Sequence, residues 1–203
     1  TFSTMLIQSS SGTTALTISL VRAGLMDLRQ AIGVIMGANI GTTITAFLIG
    51  LKIKDYALPI MFVGAIIYMF AQGNKINSLG QIFFGFGSLF FGLNIMSNAL
   101  EPIAKLPVFA EYMVKLSHHP ILGLLTGTLL TMIVQSSSAT IGILQTLYGQ
   151  KAISFVGAIP VLLGDNIGTT ITAVLSAIGG ATAAKRAATA HVIFNIFGAV
   201  VFT

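Results

Sequence analysis

Two polar motifs each occur twice in this chain. The sequence Gln-Ser-Ser-Ser covers residues 8–11 and returns at 135–138. The sequence Gly-Ala-Asn-Ile-Gly-Thr-Thr covers 37–43 and returns at 164–170 with Asp165 in place of Ala38. Both pairs are 127 residues apart (135 minus 8, and 164 minus 37). The equal spacing indicates an internal duplication that preserved hydroxyls, amides and glycines.

Three successive serines can both donate hydrogen bonds to an oxyanion and coordinate Na+ through oxygen, while a flanking glutamine can hold the loop by its amide. The simpler alternative is that the serine hydroxyls bond to nearby backbone carbonyls or join helices. Because the motif is duplicated in register, a binding role is the better interpretation.

The second motif combines glycines, which permit unwound backbone, with an asparagine that both donates and accepts. Close helix packing is the alternative, since Gly33, Gly37 and Gly41 form a small-residue series. Both interpretations can hold together. For the lone pair Gly123 and Gly127, packing is the preferred interpretation.

Asp165 is the one position where the two copies differ in charge. A carboxylate at membrane depth is a functional candidate, either as a cation ligand or as a protonatable group. Alternatively, Asp165 caps a helix or reaches water. His191 and Asn195 lie one helical turn apart and either brace the site or form an interhelical hydrogen bond.

The composition is that of an integral membrane protein. Of 203 residues, 55% are hydrophobic and 7% charged, and the mean hydropathy is +0.94. A soluble domain could not cover its surface with so few polar groups. Six long runs carry no charged residue, and their lengths suit transmembrane helices rather than alternating strands: 1–21, 30–51, 56–74, 76–100, 120–150 and 187–203.

Segment lengths predict how the motifs are built. The stretches on either side of Gln135–Ser138 are too short to cross a hydrocarbon core of about 30 Å, which predicts a re-entrant helical hairpin with the serines at its tip. The run 30–51 makes one crossing and predicts a discontinuous transmembrane helix interrupted at Gly37–Gly41. Short, glycine-interrupted segments in corresponding halves are typical of transporter sites.

Three predicted crossings separate the two hairpins, so we expect the hairpins to enter from opposite faces as inverted-topology repeats. Residues 1–75 then form repeat 1, incomplete at its N-terminus, and residues 76–203 form repeat 2. Together they make one all-α transport domain. The repeat offset leads us to expect further residues before Thr1, and the apolar run at the end allows a C-terminal soluble domain.

Several functional classes are disfavoured. Without cysteine there is no thiolate metal site. The net charge of +5 comes from lysines and arginines in short connections, which favours contact with lipid headgroups over nucleic acid. We expect no enzyme activity, because the serines lack His and acidic partners at triad spacing and no nucleotide-binding motif is present.

The paired motifs resemble the sodium-dependent phosphate cotransporter family, the type II Na/Pi group, in its bacterial branch. The stretch from Lys185 to Asn195 is similar to that family's helix ending His-x-x-Phe-Asn. The resemblance implies Na+-coupled symport of inorganic phosphate by alternating access in the plasma membrane, the inner membrane of a bacterium. It also implies a multi-pass protein that needs Na+ and no organic cofactor.

Carried over by position, the resemblance implies two residue sets. The phosphate contacts are Gln8, Ser9, Ser10, Ser11, Gln135, Ser136, Ser137, Ser138, Asn39 and Asn166. The Na+ contacts are Ser10, Ser11, Thr42, Thr43, Ser137, Ser138, Asp165, Thr169 and Thr170. Repeat 1 lacks His-x-x-Phe-Asn, so the charge stoichiometry stays open, as do membrane orientation and a homodimer.

Two alternatives remain beside this expectation. One is a Na+- or H+-coupled symporter of another small anion, a carboxylate or sulfate, on the same fold. The other is a passive channel or a membrane scaffold that transports nothing.

Overall fold

The computed structural model describes residues 1–51 and 53–203, and the regular elements in these ranges are helices. A short 3₁₀ helix, Lys54–Tyr56, lies between α3 and α4. The α-helices of the described residues are α1 (Phe2–Ile7), α2 (Ser10–Arg22), α3 (Leu28–Ile49), α4 (Ala57–Phe70), α5 (Asn74–Ala104), α6 (Pro107–His118), α7 (Pro120–Val134), α8 (Ser137–Gly149), α9 (Phe155–Gly168), α10 (Thr170–Ala177) and α11 (Thr182–Phe202).

Among the described residues, three stretches are long and apolar enough to cross a membrane, namely α3, α5 and the combined α9–α10 stretch Phe155–Ala177. Helices α6 and α7 qualify only as a pair, and they are bent by 118° with respect to each other. The bend falls between His118 and Pro120, where proline begins a new helix because its fixed φ suits a first turn. The described residues thus confirm the predicted all-helical class, with several apolar helices of membrane-spanning length.

A helix break stands at each Gln-Ser-Ser-Ser motif, as the sequence predicts. Helices α1 and α2 are separated only by Gln8 and Ser9, and α7 and α8 only by Gln135 and Ser136. Helix α7 has 15 residues and α8 has 13, so at about 1.5 Å per residue neither spans a core of about 30 Å. Each motif therefore forms the turn of a helical pair.

The predicted discontinuous helix is wrong for repeat 1. Helix α3 runs without interruption from Leu28 to Ile49, through Gly37 and Gly41. The glycines instead admit a neighbour, because a Cβ on Gly41 would lie 2.6 Å from the Cβ of Thr4 in α1. In the second copy, the helix is interrupted only at Thr169, whose φ and ψ of −62° and −23° are helical.

The three crossings expected between the motifs are not confirmed. Helix α4 has 14 residues, about 21 Å at 1.5 Å per residue, which is too short for the crossing predicted over 56–74. It packs instead along α5, where Gly64, Gly80 and Gly87 face the backbone of the opposite helix. Close backbone approach at small residues is the usual way in which helices associate in lipid.

Two buried apolar clusters hold the helix pairs in place. The first joins α2 to the start of α3, to α10 and to the start of α11. The second joins α8 to α6 and to the start of α9. Helix α3 therefore begins at the cluster around α2, and the α9–α10 stretch begins at the cluster around α8 and ends at the cluster around α2.

Candidate functional site

The two Gln-Ser-Ser-Ser turns have the same backbone conformation. Gln8 has φ and ψ of 58° and 23°, and Gln135 has 58° and 22°. Ser9 and Ser136 follow in extended conformations that differ by at most 2°. Residues other than glycine rarely adopt positive φ, so its occurrence at both glutamines shows that both copies form the same specialised turn.

Each glutamine side chain ties its turn to another part of the chain. The amide nitrogen of Gln8 donates to the Met5 carbonyl, and its Oε1 accepts from Thr45 of α3 at 2.5 Å. Gln135 likewise donates to the Met132 carbonyl and accepts from Thr172 at 3.3 Å. The glutamines thus act as braces between the turn and the long helix that follows it.

The serines begin the second helix of each pair. Ser9 and Ser136 are N-caps, accepting hydrogen bonds from the backbone N–H groups of Gly12 and Ala139. Ser10 and Ser137 are buried, while Ser11 and Ser138 are partly exposed. The first N–H groups of α2 and α8 have no intrahelical acceptor, so these helix starts suit an anion.

A pair of threonines connects the two helices on either side of each turn. The Thr4 hydroxyl donates to Thr13 at 3.2 Å, and the hydroxyl oxygens of the counterparts Thr131 and Thr140 lie 3.1 Å apart. All four are buried. The sequence signal for Thr4, Thr13, Thr45 and their copies was their recurrence at the same offset of 127, but they lie outside the two short motifs and were missed as site residues.

Asp165 makes the second copy different from the first. Its side chain is fully buried, and Oδ1 accepts a 2.6 Å hydrogen bond from Thr131. The other oxygen, Oδ2, is buried without a hydrogen-bond partner among the described residues. The counterpart Ala38 is also fully buried but carries no polar group, so the carboxyl group at this position distinguishes the second copy from the first.

A cavity of about 310 Å³ is lined by predicted site residues from both copies of the Gly-x-Asn-Ile-Gly-Thr-Thr motif. Its walls come from α3, α8, α9 and α11, and it is lined by Asn39, Thr42, Thr43 and Asn166 together with Asn195. The remaining lining is apolar apart from glycine, and includes Phe194 and Phe202. The Gln-Ser-Ser-Ser residues do not line this cavity.

The hydroxyls of the other predicted threonines in the second copy form hydrogen bonds within their own helical stretch. Thr169 and Thr170 donate to carbonyls three residues earlier, those of Asn166 and Ile167. Their oxygens can still accept or coordinate, because a hydroxyl has two lone pairs. Thr43 makes the same kind of bond to the Ile40 carbonyl but is exposed to the cavity.

The structure brings some predicted residues together and keeps others apart. Helix α2 packs on α3, α10 and α11, whereas α8 packs on α3, α5 and α9. Within the described residues, the two serine turns thus share no extensive helix interface. A second cavity of about 1000 Å³ lies at the ends of α3 and α8, between Gly50, Asp55, Gln145 and Lys151, and contains none of the predicted residues.

Comparison with known proteins places the chain in a family. The sequence model of the Na+/Pi-cotransporter family matches the chain twice, over residues 1–98 and 96–203. Together the two matches cover the whole sequence.

Individual relatives are similar over most of the chain. Identity to the uncharacterized protein YqeW of Bacillus subtilis is 36% over 195 residues, which is 96% of this chain and 63% of YqeW. Identity to the "putative inorganic phosphate export protein YjbB" of Escherichia coli is 27% over 98% of this chain and 36% of YjbB.

A human relative is matched over a shorter stretch. The sodium-dependent phosphate transport protein 2B is 32% identical over 139 residues, 64% of this chain and 19% of that protein. No solved structure matches the chain. The chain thus spans less than two thirds of the length of each of these relatives. The paired turns and the double match have one explanation: this chain belongs to the Na+/Pi-cotransporter family.

Proposed function

We propose that this chain forms the transport domain of a Na+-coupled symporter of inorganic phosphate, which works by alternating access in the plasma membrane. The observation that carries the proposal is the repetition of one specialised turn, with Gln8 and Gln135 in the same left-handed conformation. A duplicated, hydroxyl-rich turn inside apolar helices is costly unless it binds a polar ligand.

The packing supports inverted repeats. The C-terminal half of α2 lies in the cluster that contains the start of α3. The C-terminal half of α8 lies in the cluster that contains the start of α9. The far end of α10 belongs to the α2 cluster, and the far end of α3 lies beside α8. Helix α3 and the α9–α10 stretch thus run in opposite directions between the α2 cluster and the α8 cluster. This arrangement suits hairpins that enter the membrane from opposite faces.

Phosphate would bind at the starts of α2 and α8. The predicted contacts there are the serine hydroxyls and the free backbone N–H groups of the first turn. Asn39 and Asn166, the other predicted phosphate contacts, line the 310 Å³ cavity. Partial positive charge at a helix start and several donors are what an oxyanion requires.

Na+ would be bound by oxygens of Ser10, Ser11, Thr42 and Thr43 in the first half. In the second half, Ser137, Ser138, Thr169 and Thr170 would act with Asp165. Hard cations take oxygen ligands, and the unpartnered Oδ2 of Asp165 supports a stronger cation site in this half.

A second candidate is phosphate export. It is favoured by similarity to YjbB, which is named for putative phosphate export and matches 98% of this chain. The human relative, named for sodium-dependent transport, matches 64%. The two functions share a substrate and differ in direction.

The test is uptake of radiolabelled phosphate into proteoliposomes containing the purified protein. An inward Na+ gradient should drive uptake, and a Na+ ionophore or replacement of Na+ by choline should abolish it. Ser11→Ala and Ser138→Ala should each impair uptake. Ser88→Ala is the matched control, because its hydroxyl bonds only to the Phe84 carbonyl of its own exposed helix face.

Uptake that survives collapse of the Na+ gradient would refute the proposal, as would full activity of both serine variants. Phosphate efflux from loaded vesicles without external or internal Na+ would favour export. Excess phosphate that fails to compete with labelled sulfate or carboxylate would favour a symporter of another anion.

A further inference from the structure

Three side chains form a closed ring of hydrogen bonds between α3 and α11. Asn195 donates from Nδ2 to the His191 carbonyl at 2.9 Å. Asn39 donates from Nδ2 to Oδ1 of Asn195 at 3.0 Å. The Oδ1 of Asn39 lies 3.3 Å from Nε2 of His191. His191 and Asn195 are buried.

The backbone carbonyl determines the orientation of every group in this ring. A carbonyl can only accept, so Asn195 must present Nδ2 to it and is left with Oδ1 for Asn39. Asn39 must then donate through Nδ2, and its own Oδ1 faces the imidazole. Because that oxygen can only accept, His191 must carry its proton on Nε2.

The other imidazole nitrogen agrees with this assignment. His191 Nδ1 is buried and has no hydrogen-bond partner among the described residues. A hydrogen on Nδ1 would have no acceptor there, whereas an unprotonated nitrogen leaves only a weak acceptor unpaired. The ring thus holds a neutral imidazole with its proton on Nε2.

Among the described residues, the second copy of the asparagine motif has no such ring. The residues 127 positions before His191 and Asn195 are Gly64 and Tyr68, and they belong to α4, which packs on α5. Asn166, the counterpart of Asn39, is exposed to the 310 Å³ cavity. Within the part of the chain that the structure describes, side-chain hydrogen bonds orient Asn39 and not Asn166.

We propose that His191 and Asn195 are positioning residues that commit Asn39 to donating a hydrogen bond into the cavity, toward an oxyanion. His191 occupies one lone pair of Oδ1 and Asn195 takes one Nδ2 hydrogen, so the donor that Asn39 has left is its second Nδ2 hydrogen. Asn166 keeps both a donor and an acceptor. This inference rests on the proposed phosphate function and assigns different roles to the two duplicated asparagines.

The ring itself can be tested without transport. The ¹⁵N shifts of labelled histidine report which ring nitrogen carries the proton, and the His191 signal is assigned by its loss in His191→Gln. We expect Nε2–H in the wild-type protein and a mixture of tautomers in Asn39→Ala. An Nδ1–H tautomer in the wild type would overturn the ring.

The role is tested by transport kinetics. His191→Leu should raise the KM for phosphate about tenfold, a typical cost for one lost directional hydrogen bond, and leave the Na+ concentration for half-maximal rate unchanged. His191→Gln should restore the KM, because its amide nitrogen can replace Nε2–H. Tyr68→Phe, at the position equivalent to Asn195, is the control and should leave the KM unchanged.

A double-mutant cycle separates positioning from packing. In the Asn39→Ala background, His191→Leu should have no further effect on the phosphate KM, since the residue acts through Asn39. An equal increase in both backgrounds would overturn the proposal. If the wild type shows no Na+-driven phosphate transport, the proposed function fails, and the tautomer still decides whether the ring exists.

Discussion

The Thr131 hydroxyl donates a 2.6 Å hydrogen bond to the Asp165 carboxylate inside the α7–α9 interface. In the other half of the duplicated structure, Thr4 packs against Gly41 of α3 and its hydroxyl donates to Thr13, while Ala38 stands at the position equivalent to Asp165. One substitution thus gives the second turn a carboxyl group that the first turn lacks. This difference provides the most direct tests of unequal roles for the two halves.

Asp165→Asn should remove stabilisation by Na+. A ligand at 100 times its Kd stabilises the folded protein by about 2.7 kcal/mol, and we expect most of this gain to vanish without the carboxylate. The measurement is the melting temperature of the detergent-solubilised protein in Na+ and in choline. Asp27→Asn is the control, because Asp27 is a helix N-cap and asparagine caps equally well.

An equal Na+-dependent shift in Asp165→Asn and wild type would show that Asp165 binds no cation.

Thr131→Val should be more destabilising than Thr4→Val. The first leaves a buried carboxyl group without its donor, costing about 2 to 3 kcal/mol, whereas the second loses one neutral hydrogen bond worth about 1 kcal/mol. Reversible unfolding in mixed micelles measures both. Adding Asp165→Asn to Thr131→Val should recover part of the loss, and strict additivity would contradict the coupling.

Gly168→Ala should destabilise the α7–α9 interface. Its Cβ would lie 2.6 Å from the Thr128 carbonyl oxygen and 2.7 Å from the Thr131 Cβ, and overpacking typically costs about 1 to 3 kcal/mol. Gly33→Ala is the matched control, since nothing lies within 4 Å of its Cβ position. The control should gain up to about 1 kcal/mol from helix propensity. Equal stability of the two variants would argue against close packing at Gly168.

Gln8→Gly and Gln135→Gly separate backbone conformation from side-chain bracing. Glycine adopts the positive φ of both turns without strain, but it cannot accept from Thr45 or Thr172. We therefore expect folded proteins with phosphate transport reduced at least about tenfold, as one misplaced binding group can cause. Wild-type transport in both variants would show that the glutamine amides are dispensable.

The serine turns were predictable because their causes are local. Serine is a preferred N-cap, and the apolar arms on either side are too short to cross a bilayer. The sequence therefore located the helix breaks near residues 8 and 135, where the structure has them. The repeat boundary between residues 75 and 76 remains a prediction.

The continuity of α3 through Gly37–Gly41 was not predictable in the same way. Glycine lowers the cost of unwound backbone, but it equally permits close packing, and the choice depends on what lies opposite. In this fold Thr1, the N-cap of α1, and Thr4 within α1 lie against Gly37 and Gly41. Close contact with a continuous α3 outweighs a propensity cost of about 1 kcal/mol per glycine.

The sequence by itself determined the helical membrane class, the duplication and its polar motifs, because hydropathy, residue type and spacing are properties of the chain alone. Only the tertiary structure decided which polar groups meet. Contacts such as Asn39 with Asn195 join residues 156 positions apart, and Thr131 meets Asp165 only because glycines let α7 and α9 approach. Such pairings depend on how the helices pack, which no single stretch of sequence encodes.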